Sequence, residues 1–247
     1  MTEVQKNPVA IIQARTGSER LPGKSLLKIH GKSLIERVIE SARKLKNINE
    51  VILATTWLSE DDPLAEAVKM LGCKVYRGDP DDLLTRYYKA ALEYKADPIM
   101  RLCGDSPIIA VDYMDNMVKE HIALGADLTC NISPLPLGPT GAVISFSALE
   151  TMYNNATTDY QREHVTPYIS ENRSSFSINE MTAPAEFHRN YRLTIDEKDD
   201  LLMFQKLYET LEDGGHEINL LSAIKVLDEN ENIANINRTV LQRSWRT

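Results

Sequence analysis

Val9-Ala10-Ile11-Ile12, running straight into Gln13-Ala14-Arg15-Thr16-Gly17-Ser18-Glu19-Arg20-Leu21-Pro22-Gly23-Lys24, is the stretch on which the fold turns. Four apolar residues in a row, with no polar alternation, predict a strand buried on both faces, as in the middle of a parallel sheet. The same pattern recurs at Val51-Ile52-Leu53-Ala54; Lys74-Val75-Tyr76 reads as a short strand, and Ile99-Met100-Arg101-Leu102 is strand-like. Between these runs lie helical stripes. One carries Leu34, Ile35, Val38, Ile39, Ala42 and Leu45, and the next Leu64, Ala67, Val68 and Leu71, with Pro63 suited to its first turn. Another carries Leu83, Leu84, Tyr87, Tyr88, Ala91 and Leu92, with Asp81 or Asp82 as its cap, and a further one spans Val111 to Leu124. This alternation predicts an α/β fold, a mostly parallel (mixed) sheet with helices on both faces. Such sheets take ligands at the carboxyl ends of their strands, which is where the unusual residues fall.

Beyond Asn131 the pattern changes. Ser133 to Gly141 reads as an exposed proline- and glycine-rich loop, and Ala142 to Phe146 as a strand. Ser147 caps a helix through Tyr153. Thr158 to Met181 carries no clear periodicity. Tyr191-Arg192-Leu193-Thr194-Ile195 reads as a strand ending at Asp196, before a helix from about Asp199 to Leu211; two short helices and a polar tail follow. No repeat divides the chain, so residues 1–247 are expected to form a single domain, with 132–190 as an acceptor-binding or dimerisation subregion.

The 247 residues are 43% apolar, enough for a sizeable core. A formal net charge of −8 argues against nucleic acid as a partner, because gripping its phosphates needs a basic surface. The three cysteines, Cys73, Cys103 and Cys130, have neither metal nor redox spacing and fit a reducing cytoplasm. The opening MTEVQKNP has no apolar signal core, and no run is long enough to span a bilayer. A cytoplasmic protein without a membrane partner is expected.

The loop after the first strand packs Arg15, Arg20 and Lys24 among two glycines and two hydroxyls. Glycines let backbone amides approach an anion, and the cations can neutralise a polyphosphate. Its glycine spacing is neither that of a Walker loop nor of a dinucleotide fingerprint. Taken as bare sequence, it can also be a solvated basic turn. In Arg101-Leu102-Cys103-Gly104-Asp105-Ser106-Pro107, a Gly-Asp pair closes a strand and leaves a carboxylate suited to Mg²⁺. Asp196 ends the segment 191–196 in the same way. Glu197, Asp199 and Asp200 are explained by a helix N-terminus that favours acids.

ARTGSERLPGK resembles the signature loop of the cytidylyltransferases that make CMP-activated sugars: the CMP-ketodeoxyoctonate synthetases, the acylneuraminate cytidylyltransferases and, most similar, the spore-coat polysaccharide biosynthesis protein F group. The resemblance runs from about Val9 to Leu211. It implies a Rossmann-like nucleotidyltransferase fold of the glycosyltransferase-A-like kind, and transfer of CMP from CTP to a small acceptor with loss of pyrophosphate. It further implies Mg²⁺ as cofactor and a homodimer. In that family the loop wraps the triphosphate, which makes Ala14, Arg15, Thr16, Gly17, Ser18, Arg20 and Lys24 nucleotide contacts and Lys24, Arg15 and Asp105 the catalytic set. Asp105, beside Gly104, and Asp196 are implied as the metal ligands, converging across adjacent strand ends.

Other positions are weaker candidates. Thr55 follows the second strand and can meet the nucleotide; the resemblance implies that Arg77, after the third strand, and Arg86, near the start of the next helix, help hold its base and ribose. Asp159 to Tyr168 resembles the REHVTPYI segment of the spore-coat group, which puts Arg162, Glu163 and His164 near an acceptor or a metal. The same residues also suit a charge-paired helix. His30, His121, His188 and His216 show no pairing with a carboxylate motif. One departure bears on the acceptor: where the spore-coat group often reads G-L-D-V-E-V, this chain has Gly138-Pro139-Thr140-Gly141-Ala142-Val143-Ile144, without the acids. The acceptor is expected to be an acidic sugar or a phosphorylated or phosphonate compound. A nucleotide-sugar-dependent glycosyltransferase lacks its usual D-x-D pair here. A uridylyl- or guanylyltransferase would show a similar loop, and a non-catalytic nucleotide-binding module would not need both aspartates.

Overall fold

A computed structural model describes residues 6–242. Its strands are β1 (Val9–Gln13), β2 (Lys28–Ile29), β3 (Lys32–Ser33), β4 (Glu50–Thr56), β5 (Lys74–Gly78), β6 (Ile99–Cys103), β7 (Leu128–Asn131), β8 (Ala142–Ile144) and β9 (Ile178–Met181). Its helices are α1 (Leu34–Ala42), α2 (Asp62–Met70), α3 (Leu83–Glu93), α4 (Val111–Leu124), α5 (Phe146–Asn155), α6 (Asp159–His164), α7 (Pro167–Glu171), α8 (Lys198–Asp213), α9 (Leu220–Glu229) and α10 (Glu231–Ala234). Seven strands form one sheet in the order β5-β4-β1-β6-β8-β7-β9, and β2 and β3 form a small hairpin. From β5 to β6 all neighbours are parallel; β8 is antiparallel to both β6 and β7, and β9 is parallel to β7. The expected mixed, mostly parallel sheet is what forms.

Successive side chains of the central strands feed two cores. Ala10, Ile12, Leu53, Met100 and Leu102 pack with α1, α2, α4, α8 and α9 on one face. Val9, Ile11, Ile52, Ala54 and Ile99 pack with α3 and α5, and with Val165 and Ile169, on the other. Ile11, Ile12 and Ile52 are fully buried, each contributing about 1.5–3 kcal/mol relative to exposure. Capping fixes the helix starts. Ser33 and Glu36 form a capping box on α1, and Asp82, rather than Asp81, accepts from Thr85 N at 2.8 Å.

Three expectations need correction. The cap of α5 is Ser145, whose Oγ accepts from Ala148 N at 3.1 Å, so the helix begins at Phe146 and β8 ends at Ile144. Tyr191 to Ile195 is not a strand. Leu193 N donates to Leu137 O (2.8 Å) and Ile195 N to Asp105 O (2.9 Å), so the segment bonds two different loops and joins no ladder. It looks strand-like because Leu193 and Ile195 are both fully buried. His30 does pair with a carboxylate, Glu212. Residues 1–5, and with them most of the MTEVQKNP opening, lie outside the described residues, as do the last five residues of the polar tail. Among the described residues no helix is long and apolar enough to cross a membrane, and all three cysteines are free.

Candidate active site

The loop after β1 is shaped by its attachments. Gly23 adopts φ +67°, which a glycine reaches at little cost, and starts a short 3₁₀ turn, Lys24–Leu26. Leu21 is buried in the core, and Gly23 N donates to Thr16 O at 3.0 Å. The main anchor is Asp61, with no exposed surface, which the sequence reading missed. Its Oδ1 accepts from Thr16 N (2.6 Å) and Thr16 Oγ1 (2.7 Å), and its Oδ2 from Thr56 Oγ1. Burial pushes this carboxyl up, but the hydrogen bonds from Thr56 and Thr16 outweigh it and hold the group below its ordinary range. Thr16 is thus a loop anchor whose own polar groups are spent on Asp61 and Glu60. Ser18 Oγ accepts from Leu21 N at 3.4 Å. Gly17 passes so close to α2's approach that a Cβ would lie 2.8 Å from Glu60 Oε1. Arg15 is exposed, with one bond from Nη1 to Pro80 O at 3.3 Å.

Lys24 is the meeting point. Its Nζ donates to Ile195 O at 2.8 Å, to Asp196 Oδ1 at 2.9 Å and to Asp105 Oδ2 at 3.4 Å. Asp105 and Asp196 therefore do converge, although 91 positions apart, but the Asp196 side of the crevice is a loop rather than a strand end. The bond from Ile195 N to Asp105 O joins the two carboxylate segments, and close packing of the ends of β1 and β6 sets the loop of Lys24 beside them. A Cβ on Gly104 would lie 2.6 Å from Ala14 Cβ and 2.8 Å from Gln13 O, so only glycine lets the two strand ends touch.

The two carboxylates differ. Asp196 is ringed by cations: Lys24, Arg20 (3.2 Å) and Arg192 (2.6 Å). Burial pushes its carboxyl up; Lys24, Arg20 and Arg192 more than reverse this and hold it below the usual range. Among the described residues the Asp105 carboxylate has only the long contact to Lys24 and the Ser106 hydroxyl at 3.2 Å. Behind Asp196 stands a second fully buried carboxylate, Asp200. It accepts from the backbone N–H of Asp196 and of Glu197 (3.0 Å each), from Arg192 Nε (2.9 Å) and from Asn237 Nδ2 (2.9 Å). The dipole explanation for Asp200 is therefore incomplete. The spacing of Arg192, Asp196 and Asp200 at four-residue steps was the available signal.

Not every predicted site residue reaches the crevice. Thr55 is fully buried, so it cannot touch a ligand in this conformation. Arg77 is occupied by Asp62 (2.6 Å) and by the carbonyls of Thr56 and Leu58 (2.8 Å each), and it braces the β4–α2 connection. Arg162 pairs with Asp82 at 2.7 Å and donates to Ala156 O at 3.0 Å, which ties α6 to the start of α3. Glu163 is exposed, and His164 lies edge-on to Tyr160, with ring centroids 5.2 Å apart. Arg86 is 4% exposed and donates weakly to Pro80 O, the acceptor Arg15 also uses. Among the described residues no cluster of three or more His, Cys, Asp or Glu side chains could hold a metal. The possible oxygen donors are the pair Asp105 and Asp196.

A cationic glycine loop and paired carboxylates at the carboxyl edge of an open α/β sheet define a protein that handles a phosphorylated ligand. The comparisons with known proteins narrow this class: the chain belongs to the cytidylyltransferase family, whose model matches residues 9–237. It is 35% identical over 205 residues to the spore coat polysaccharide biosynthesis protein SpsF of Bacillus subtilis, covering 81% of this chain and 85% of that one. An uncharacterized protein of Methanocaldococcus jannaschii is 39% identical over 242 residues, covering 96% of this chain and 97% of its own. The solved structure of a cytidylyltransferase from Leptospira borgpetersenii serovar Hardjo-bovis superposes with a TM-score of 0.84 at 31% identity, covering 96% of this chain and 100% of that one. Fold and family thus agree with the resemblance of the loop.

Proposed function

We propose that this cytidylyltransferase joins CMP from CTP to a small acceptor, an acidic sugar or a phosphorylated or phosphonate compound, with release of pyrophosphate and with Mg²⁺ as cofactor. The observation that carries the reading is Lys24, held between Asp105 and Asp196 at the mouth of the cationic loop. An acceptor oxygen attacks the α-phosphorus, the bond to the β-phosphate oxygen breaks, and pyrophosphate leaves in line. No enzyme nucleophile is required. Arg15, Arg20 and Lys24 offset the charge that builds on the leaving pyrophosphate. Among the described residues Arg15 has no carboxylate partner, so it can turn to a phosphate, whereas Lys24 and Arg20 must exchange carboxylates for phosphate oxygens. The donor set fits Mg²⁺: two carboxylates present oxygens to one common cation, and Mg²⁺ is held by one or two carboxylates plus substrate phosphates. Bound by Asp105 and Asp196, it would supply Lewis-acid polarisation of phosphate oxygens and lower the pKa of an acceptor hydroxyl. The resemblance alone supports a cytoplasmic homodimer.

The test is pyrophosphate release with each of CTP, UTP, GTP and ATP, plus Mg²⁺, against acidic sugars, sugar phosphates and phosphonates. Release with CTP and one acceptor class is expected. Absence of CTP binding by calorimetry would refute the reading.

A further inference from the structure

The cations at the sheet edge fall into two groups. Lys24, Arg20 and Arg192, beside the α8 face, are all paired with carboxylates. On the α3 side stand Arg15, Arg86 and Arg101, and among the described residues none of them forms an ion pair. Arg101 is the extreme case. It lies on β6, four residues before Asp105, and its side chain shares the face of Ile11 and Ile99, inside the layer covered by α3 and α5. Its Nε is enclosed and has no partner, and among the described residues its side chain donates no hydrogen bond at all. The residues directly opposite are Ile11 on β1 and Ala142 on β8, so neither neighbouring strand offers a carboxylate. Around it lie the Cys103 thiol and the Tyr87 hydroxyl, both kept neutral by burial, and Asp105 is the ionised group whose charge it feels. Arg101 is half-buried, and it is the Nε that is shut off from water; a guanidinium N–H so placed without an acceptor is costly unless an anion completes it. Arg86, whose Nε is likewise enclosed and unpartnered, extends the same deficit towards Arg15.

We propose that Arg101 is an anion-recognition residue of this site, taking a phosphate or carboxylate oxygen of a substrate on the α3 side of the sheet edge. The assignment of that anion to a substrate rests on the cytidylyltransferase reading above. Its source is either a phosphate of the nucleotide or the acidic group of the acceptor, and Arg101 sits apart from the Lys24 cluster on the opposite face of the sheet.

The experiment uses the full chain and two probes, CTP and inorganic phosphate, titrated by calorimetry. Phosphate is titrated both on the free protein and on protein saturated with CTP. Three variants are compared: Arg101→Met removes the charge, Arg101→Lys keeps charge but loses the fork, and Ala142→Glu sets a carboxylate directly opposite Arg101. Arg101→Met and Ala142→Glu are each expected to weaken one probe at least tenfold, the scale of a charged hydrogen bond, with Arg101→Lys in between. A loss in the CTP titration assigns the anion to the nucleotide. A loss confined to phosphate on the CTP-saturated protein assigns it to the acceptor's acidic group. Ala142→Glu keeps Arg101 in place, so it separates recognition from a folding defect in Arg101→Met. Unchanged affinities for both probes in Arg101→Met and Ala142→Glu would overturn the proposal. If the wild type binds no CTP, the cytidylyltransferase reading falls, while phosphate on the free protein still decides whether Arg101 holds an anion.

Discussion

Replacing Asp200 by asparagine tests whether the floor under Asp196 is built as described. The carboxylate has no exposed surface and accepts four hydrogen bonds, two from backbone amides, one from Arg192 and one from Asn237. Asparagine keeps one acceptor oxygen and turns an NH₂ towards donors, so about two of the four lose their partner, each at roughly 1–3 kcal/mol. Arg192, 9% exposed in its side chain, also loses one of its two carboxylate partners and keeps Asp196. Removing one partner of a buried pair costs about 3–5 kcal/mol, and because these terms describe overlapping losses they do not add. The expected destabilisation is about 3–5 kcal/mol, equivalent to a fall in Tm of roughly 10 °C for a chain of this size. Urea denaturation at equilibrium, with Tm as a cross-check, measures it. Asp199→Asn is the control: that neighbour is exposed and should move stability by no more than about 0.5 kcal/mol. A loss below about 1 kcal/mol in Asp200→Asn would show that the amides and Arg192 find other acceptors, and the brace would have no energetic meaning.

Lys24→Ala and Asp105→Asn are each expected to fold as the wild type does by circular dichroism yet lose about 10²-fold or more in turnover, since a preorganised charge is worth about 3 kcal/mol of barrier. An unfolded Asp105→Asn protein would make that residue structural instead. Asp61→Ala frees Thr16 N and both threonine hydroxyls, so it should cost about 3 kcal/mol and make residues 14–24 susceptible to limited proteolysis; unchanged cleavage would argue against the anchor. His121, 3% exposed with Nδ1 against Thr129 Oγ1, is pushed down by burial to about 4. The folded chain keeps it neutral where the unfolded chain binds a proton, so its contribution is present above the unfolded value of 6.5 and is lost as pH falls towards about 4. At 1.36 kcal/mol per pH unit the loss is on the order of 3 kcal/mol. His121→Gln should flatten the acid limb of the stability curve, and an unaltered limb would contradict this.

The sheet was legible because its evidence is local. Val9 to Ile12 and Val51 to Ala54 are apolar on both faces, and only a central strand asks for that; Ile99 to Leu102 departs from it at Arg101 alone. Val111–Leu124 was legible to the residue because Gly125, at φ +61°, ends the helix where the stripe ends. Errors arose where the deciding partner is distant. In Ser145-Phe146-Ser147 two serines compete for one cap. Residues 191–195 mimic a strand because burial, which makes a segment apolar, does not require a ladder. Arg77 and Arg162 have the chemistry of ligand contacts, but Asp62 and Asp82 claim them. Asp61 was invisible because its loop partner, Thr16, lies 45 positions away.

The two carboxylates with no exposed surface among the described residues, Asp61 and Asp200, flank the crevice, one under each functional segment. Stability alone does not account for them, since a buried charged group can often be replaced by a packed apolar one at no loss. Their acceptors go to backbone amides: Thr16 N in the cationic loop, Asp196 N and Glu197 N at the carboxylate. An apolar residue could fill either volume, but it could not satisfy those amides, and the loops would have to turn them elsewhere. The two carboxylates therefore specify where the loop and Asp196 stand relative to Lys24. On the proposed reading, a backbone so fixed leaves only the side chains of Lys24 and Arg20 to change partners when a triphosphate binds, so the value of the two carboxylates lies in the geometry of transfer more than in the free energy of folding.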